Sequence, residues 1–342
     1  MTWSNRFWTT LWSPRKASSG GSPGVDPAAL WKSQEAADPA LILGRVRRLE
    51  IRTRRVVDQI LTGEYHSIFR GQGMEFHEVR PYVAGDEVRT IDWNVTARAG
   101  VPYVKTFVET RELTVLLMVD VSASSLFGTG TASKRDLVEE TAALLIFSAI
   151  RNRDRVGLVL FSDRVEKVIL PRRGRRHGLR LLSELLEFRP RGRGSDLTEP
   201  LEAAAKLLRR RALVFILCDF LLPDASGVLK RVVRRHDVIP VVIEDPREES
   251  LPAVGLVELE DLETGRRSWV DTGHPGVRRR FAEKAAQRAQ GQKTMFGRLG
   301  LDAVWLRTGV DPARPLQKLF QLRMRRRSGG TAVRGTSRVV AP

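Results

Sequence analysis

The chain has 342 residues, 42% hydrophobic and 29% charged, a balance that sustains a sizeable core and excludes disorder throughout. Its single cysteine, Cys218, excludes an internal disulfide, no apolar run approaches the ~20 residues that cross a bilayer, and the first residues lack a signal-peptide core, so a cytoplasmic location is expected. The net charge of +18 raises nucleic acid or an anionic membrane as partners, but only ten of the 58 basic residues are Lys and the Arg are spread along the chain, which fits a coding bias better than a built groove.

Residues 1–39 read as a disordered tail and linker, because "RKASSGGSPGVDPAA" has nothing to bury. Ahead of it, Trp3, Phe7 and Leu11 share one helical face, with Trp8 and Trp12 beside them and Arg15 and Lys16 behind. That pattern suits a peripheral membrane anchor, and equally a terminus that touches nothing specific. Residues 40–112 read as a helix followed by a β-rich extension. Leu41, Leu43, Val46, Leu49, Val56, Ile60 and Leu61 recur at broadly helical spacing, and Gly63 marks the end of the helix. From residue 64 short strands and turns take over: "AGDE" is a turn, and "YVKTFVE" alternates like a half-buried strand. Arg80, Asp86, Arg89, Asp92 and Arg98 fall within nineteen residues and read as an ion-paired network that fastens these strands to the rest, with Trp93 as its apolar pin. A docking surface or a lid is the competing reading of the same segment.

Between 113 and 323, strands and helices alternate. Strands are expected at 113–119, 156–161, 165–170, 213–217, 237–243 and near 302–306. Helices are expected at 134–150, 177–188, 197–210, 226–235, 276–298 and 313–323. Only "SDR" separates the second and third strands, which marks an antiparallel hairpin at a sheet edge. The remainder implies right-handed crossovers and an α/β, doubly wound, mainly parallel sheet with helices on both faces. The densest basic cluster, residues 171–180, holds no aromatic side chain on which a base would stack, so nucleic acid is not the expected partner. A polar hairpin is inserted near 255–270, and 324–342 read as a disordered basic tail.

In "LMVDVSASSLFGT" (117–129) an apolar strand stops at Asp120, and Ser122 and Ser124 follow at alternate positions. In open parallel sheets, ligands bind beyond the carboxyl ends of the strands. A second strand, "ALVFILCDF", delivers Asp219 to the same edge, and the loop "RGRGSDLTEP" carries Ser195 and Asp196 towards it. Two carboxylates and three hydroxyls form an oxygen-only set suited to a hard divalent cation, Mg2+ or Mn2+, which takes about six such ligands. With no His cluster or Cys pair nearby, Zn2+ does not suit the set. An ion so held is under-neutralised and accepts a further carboxylate from outside. The competing reading is ordinary turn and cap chemistry, with Ser195 or Asp196 capping the helix that follows.

"DVSAS" (120–124), "GSD" (194–196) and "CDF" (218–220) resemble the three parts of the metal-ion-dependent adhesion site of von Willebrand factor A-type domains. That pattern runs Asp-x-Ser-x-Ser, then Thr, then Asp. The resemblance makes Asp120, Ser122, Ser124, Ser195 and Asp219 the metal residues of a von Willebrand A, Rossmann-like domain. Ser195 departs from the pattern, keeping the hydroxyl and losing the methyl, and looser positioning is expected there. Upstream, "GQGMEFHEVRPYVAGDEVRTIDWNVTARAGVPYVKTFVETRE", with "RDRVGLVLFSD" and "LPRRGRRHGLRLLSELL", is similar to the bacterial domain-of-unknown-function 58 family over about residues 64–245. Members of that family often carry N-terminal membrane helices, which this sequence does not show. The resemblance implies a protein partner that presents a Glu or Asp, and company with MoxR-type AAA+ ATPases in a chaperone-like or maturation role.

Two other classes compete. A Mg2+-dependent hydrolase or phosphotransferase would use the same ion to polarise a phosphoryl oxygen. No general base is apparent for it, and Ser122 stands where phospho-aspartate chemistry wants a second acid. A nucleotide-binding Rossmann domain would need Gly-x-Gly-x-x-Gly after the first strand, where this chain places an anion. Cys218, inside an apolar strand without a neighbouring base, reads as a structural thiol.

Overall fold

A computed structural model describes residues 10–12, 39–57, 74–109, 113–130, 132–221 and 225–328. The chain divides into two compact units, Phe69–Leu113 and the remainder.

The larger unit begins with strand β1 (Thr10–Trp12) and helix α1 (Pro39–Val56). α1 buries Ile42, Val46 and Thr53, which repeat at four and seven residues along one helical face. Leu41 and Leu43, read in the sequence as part of that face, are 64% and 65% exposed, since each lies about 100° around the helix from Ile42. Ion pairs Arg45–Glu139 (2.6 Å) and Arg52–Glu140 (3.1 Å) tie α1 to the body of the unit. Ile60, Leu61, Gly63, Trp3, Phe7, Trp8, Arg15 and Lys16 lie outside the described residues.

In the smaller unit, β2 (Met74–Pro81) pairs antiparallel with β3 (Tyr103–Glu109). Between them stands a helix, α2 (Trp93–Ala99), where strands and turns were expected. Asp92 explains it: its carboxylate accepts the N–H groups of Asn94 (3.0 Å) and Val95 (3.4 Å), and Gly100, at φ 72°, closes the other end. The ion pairs also differ from expectation. Arg80 forks onto Asp86 (2.8 and 2.7 Å), but Asp92 pairs with Lys105 (3.0 Å) rather than with an Arg. Trp93, expected as the apolar pin, is 68% exposed.

The larger unit continues with β4 (Thr114–Asp120), α3 (Lys134–Arg151), β5 (Arg155–Phe161), β6 (Val165–Arg172) and α4 (Arg175–Glu187). Then come α5 (Thr198–Leu207), β7 (Leu213–Cys218), α6 (Ser226–Arg235), β8 (Asp237–Glu244) and the single turn α7 (Pro246–Glu249). The chain finishes with β9 (Leu256–Asp261), β10 (Arg267–Asp271), α8 (Pro275–Leu299), β11 (Val304–Arg307) and α9 (Ala313–Ser328). Six strands form the expected sheet in the order β11-β8-β7-β4-β5-β6, parallel except for β6. β4, β5, β7 and β8 are buried along almost their whole length, which is why each is a continuous apolar run rather than an alternating one. From β4 the strand order proceeds one way to β5 and the other way to β7, so the crevice of the sheet opens at the carboxyl ends of β4 and β7.

β9 and β10 form the expected inserted hairpin, and β1 pairs with the free edge of β9 (Leu11 opposite Glu260). Thr10–Trp12, expected in a disordered tail, are therefore a strand, since an open edge offers unpaired backbone groups to any extended segment. α9 likewise runs on to Ser328 through residues read as tail, because Met and Arg favour helix and nothing breaks it before Gly329. Residues 329–342 lie outside the described residues. Among the described residues no helix is long and apolar enough to cross a membrane.

Asp245, fully buried after β8, joins three segments. Its carboxylate accepts Thr129 Oγ1 (2.6 Å), Thr308 Oγ1 (2.6 Å) and the N–H of Arg247 (2.9 Å). Asp245→Ala leaves these donors without their acceptor and is expected to cost roughly 3 kcal/mol, with Thr308→Val nearer 1 kcal/mol, read from denaturant midpoints.

Candidate metal centre

The end of β4 is shaped by its own carboxylate. Ser122 N–H donates to Asp120 Oδ1 at 2.8 Å, which turns the chain as the strand ends. A 3-10 turn, Ala123–Leu126, follows, and Ser125 Oγ locks it by donating to the Ser122 carbonyl (2.7 Å). The turn brings the Ser122 and Ser124 hydroxyls within 2.9 Å of each other, both buried.

The loop between α4 and α5 is fastened to this turn from the other side. Glu166 of β6 accepts the N–H groups of Arg191 (3.0 Å) and Gly192 (2.7 Å) and the Ser162 hydroxyl (2.7 Å). Gly192 lies close against the approach to β6, since a Cβ there would stand 2.1 Å from Asp163 Oδ1 and 2.3 Å from Ser162 Oγ, so those side chains would have to move to admit one. Ala123 N–H reaches across to the Arg193 carbonyl at 3.1 Å. So placed, Ser195 Oγ donates to Asp120 Oδ2 at 2.6 Å. Asp196 takes the role at the helix start, accepting Thr198 N–H at 2.7 Å, which leaves the Ser195 hydroxyl to Asp120. Ser195 is buried and closely bonded here.

β7 delivers Asp219. Phe220 behind it sits at φ 53°, a left-handed backbone that costs a non-glycine residue about 1 kcal/mol. Two contacts hold it there. Its ring packs edge-to-face on Phe296 (5.0 Å), and Gln292 Nε2 donates to the carbonyls of Asp219 (2.9 Å) and Phe220 (3.2 Å). Asp219 Oδ1 accepts Leu221 N–H (3.0 Å), and Oδ2 accepts Lys134 Nζ (3.0 Å).

Lys134 has no counterpart in the sequence reading. It is 2% exposed, and its ammonium also lies 2.6 Å from Glu248 Oε1. The one available signal was position: Lys134 opens α3, where the positive end of the helix dipole disfavours a cation unless acids compensate it.

The electrostatics follow from burial. Desolvation, with the neighbouring charge of Asp219, pushes Asp120 up to about 6, against the pull of hydrogen bonds from Ser195 and Ser122. Burial alone would lower Lys134, but the charges of Asp219 and Glu248 outweigh it and keep the ammonium charged. Burial raises Glu248, against the attraction of Lys134. Arg288 of α8 stands within electrostatic reach of Glu248 and Asp219. Asp120, Asp219 and Glu248 set against Lys134 and Arg288 leave the cluster one negative charge when all are ionised. Cys218, buried beside it, has its thiol pushed well up by desolvation and by both aspartates, which makes it inert.

Among the described residues no three His, Cys, Asp or Glu side chains converge as a metal-binding group. Any cation here relies on hydroxyls as well as carboxylates. The site offers that chemistry: oxygen donors only, buried, with a negative balance, which fits Mg2+ or Mn2+ and not Zn2+.

These elements make a doubly wound α/β domain with one antiparallel edge strand and an Asp/Ser rim at its switch point. The chain belongs to the DUF58 family, whose description is "Protein of unknown function DUF58" and whose profile matches residues 78–291. It is 35% identical over 280 residues to the uncharacterized protein Rv1480 of Mycobacterium tuberculosis, covering 80% of this chain and 87% of that protein. It is 32% identical over 148 residues to the uncharacterized protein MAV169 of Mycobacterium avium, covering 42% of this chain and 86% of that protein. Among solved structures it is similar to the conserved hypothetical protein BatB of Bacteroides thetaiotaomicron, at 13% identity and a TM-score of 0.39, over 63% of this chain and 98% of that one. The SpRpn10 VWA domain is similar at 12% identity and a TM-score of 0.34, over 62% of this chain and 95% of that one.

A buried carboxylate with a raised pKa costs stability only while it is ionised. The wild-type fold therefore loses stability as pH rises from about 4, the unfolded value, through about 6. In chelator, Asp120→Asn is expected to stabilise the fold at pH 7.5 by on the order of 2 kcal/mol and to have little effect below about pH 4. Denaturant titrations at the two pH values check the sign.

Proposed function

We propose that this rim holds Mg2+ (or Mn2+), and that the ion accepts a Glu or Asp carboxylate of a protein partner as its outstanding ligand. The chain would then be a metal-dependent protein-interaction module, in keeping with its von Willebrand A-like fold. The observation that carries this reading is the closed cluster of Asp120, Ser122, Ser124 and Ser195, with the charge of Asp219 beside it. These five residues would line the ion's site.

Charge balance points the same way. A divalent ion turns the cluster's single negative charge into a single positive one, and one external carboxylate brings it to neutrality. That is what a buried site in a low-dielectric edge favours. The family resemblance makes a MoxR-type AAA+ ATPase of a chaperone or maturation system the first partner to look for, in the cytoplasm. The hydrolase or phosphotransferase reading gains nothing from the site, since Ser122 is wholly buried and bonded to Ser124.

The test is capture of partners by the full chain from native lysate, in Mg2+ and again in EDTA, with bound proteins identified by mass spectrometry. A partner held in Mg2+ and released by EDTA is expected. Asp120→Ala should abolish that capture while keeping a cooperative melt. Capture that survives both chelation and Asp120→Ala would sink the reading.

A further inference from the structure

A metal site alone does not explain Lys134. A lysine with 2% of its surface exposed loses side-chain freedom and hydration, and this one stands against a residue of the rim itself. Its ammonium is fixed from behind as well as in front. Glu248, at 2.6 Å, belongs to the capping box of α7: its Oε2 accepts Asp245 N–H (3.0 Å) and its own N–H donates to the Asp245 carbonyl (2.9 Å). Asp245 is in turn held by Thr129 and Thr308. The ammonium is thus clamped in place, 3.0 Å from Asp219 Oδ2, while the Leu221 N–H occupies Oδ1. Neither oxygen of Asp219 is without a donor.

Asp120 differs. Its donors are a backbone N–H and the Ser195 hydroxyl, and that hydroxyl still has an oxygen to offer an ion. Among the described residues no ion pair engages Asp120.

We infer that Lys134 is an internal counter-cation that withholds Asp219 from the metal, so that the rim binds its ion weakly alone and firmly only once a partner's carboxylate is in place. The inference rests on the metal reading of the rim and adds its regulation. An ion met mainly by the neutral hydroxyls of Ser122, Ser124 and Ser195 keeps most of its double charge. The protein then has low affinity for the ion, while the bound ion has high affinity for an outside carboxylate. The two bindings are thermodynamically coupled, each strengthening the other by the same factor. Were Asp219 free to join the ion, the metal would bind more tightly and the demand for an external ligand would fall. Lys134 is a positioning residue in this scheme, acting through Asp219.

The test uses the full chain and Mn2+ alone, titrated by electron paramagnetic resonance. The deciding variant is Lys134→Met/Glu248→Gln, which removes one ammonium and one carboxylate and so leaves the cluster's net charge unchanged. Long-range electrostatics then cancel, and a change in affinity reports the release of Asp219. Mn2+ binding tighter than wild type by about tenfold is expected. Equal or weaker binding, with a cooperative melt, overturns the inference and leaves the metal reading standing. A wild-type chain that takes up no Mn2+ overturns both. Should the Met variant melt without cooperativity, Lys134→Gln/Glu248→Gln retains hydrogen-bond donors beside Asp219 and is read in the same way.

Discussion

Two carboxylates at the ends of strands buried on both faces are the constraint on which the rest of this structure depends. Asp120 and Asp219 sit where β4 and β7 run out, and the sheet that delivers them offers no water to solvate their charge. A lone buried carboxylate is prohibitively costly, so each is met by donors gathered from elsewhere in the chain. The turn after β4, the loop before α5, the first residue of α3 and the single turn α7 all supply a group to this edge or back one that does. The loops are ordered because the carboxylates need them.

The donors satisfy the two acids unequally. Asp219 has an ammonium, whereas among the described residues Asp120 is met by hydroxyl and amide donors, and burial with the nearby charge of Asp219 raises the Asp120 pKa towards neutrality. The asymmetry gives the site a direction. One carboxylate is already neutralised from within, and the other stands beside three hydroxyls with its charge uncompensated. A strained residue at the same edge, Phe220, fits this picture, because strain persists where surrounding contacts over-determine a conformation.

The core around Leu116, Met118, Ile216 and Phe296 runs up to Cys218 and Phe220 on either side of Asp219, and Asp245 bonds three segments together near the same edge. The rim is therefore held in place by structure that a ligand does not have to create.

Much of the sheet was legible in the residues themselves. Buried parallel strands are continuous apolar runs, helices repeat at 3.6 residues, and a three-residue gap forces β6 back against β5, so these elements and the antiparallel edge could be read locally. The rim residues were legible for a related reason: ligands gather at the carboxyl ends of such strands, and Asp120, Ser122, Ser124, Ser195 and Asp219 all stand just beyond one or on the loop facing it. What the sequence could not convey was pairing. Asp92 looked like half of an ion pair and is also the cap of α2; residues 10–12 looked like part of a tail or a membrane anchor and add a strand to β9. Lys134 drew no expectation from the sequence, yet it finds Asp219 eighty-five residues away. Periodicity is written in neighbouring residues, whereas charge compensation depends on which distant loops the fold brings to one edge, and only the tertiary structure decides that.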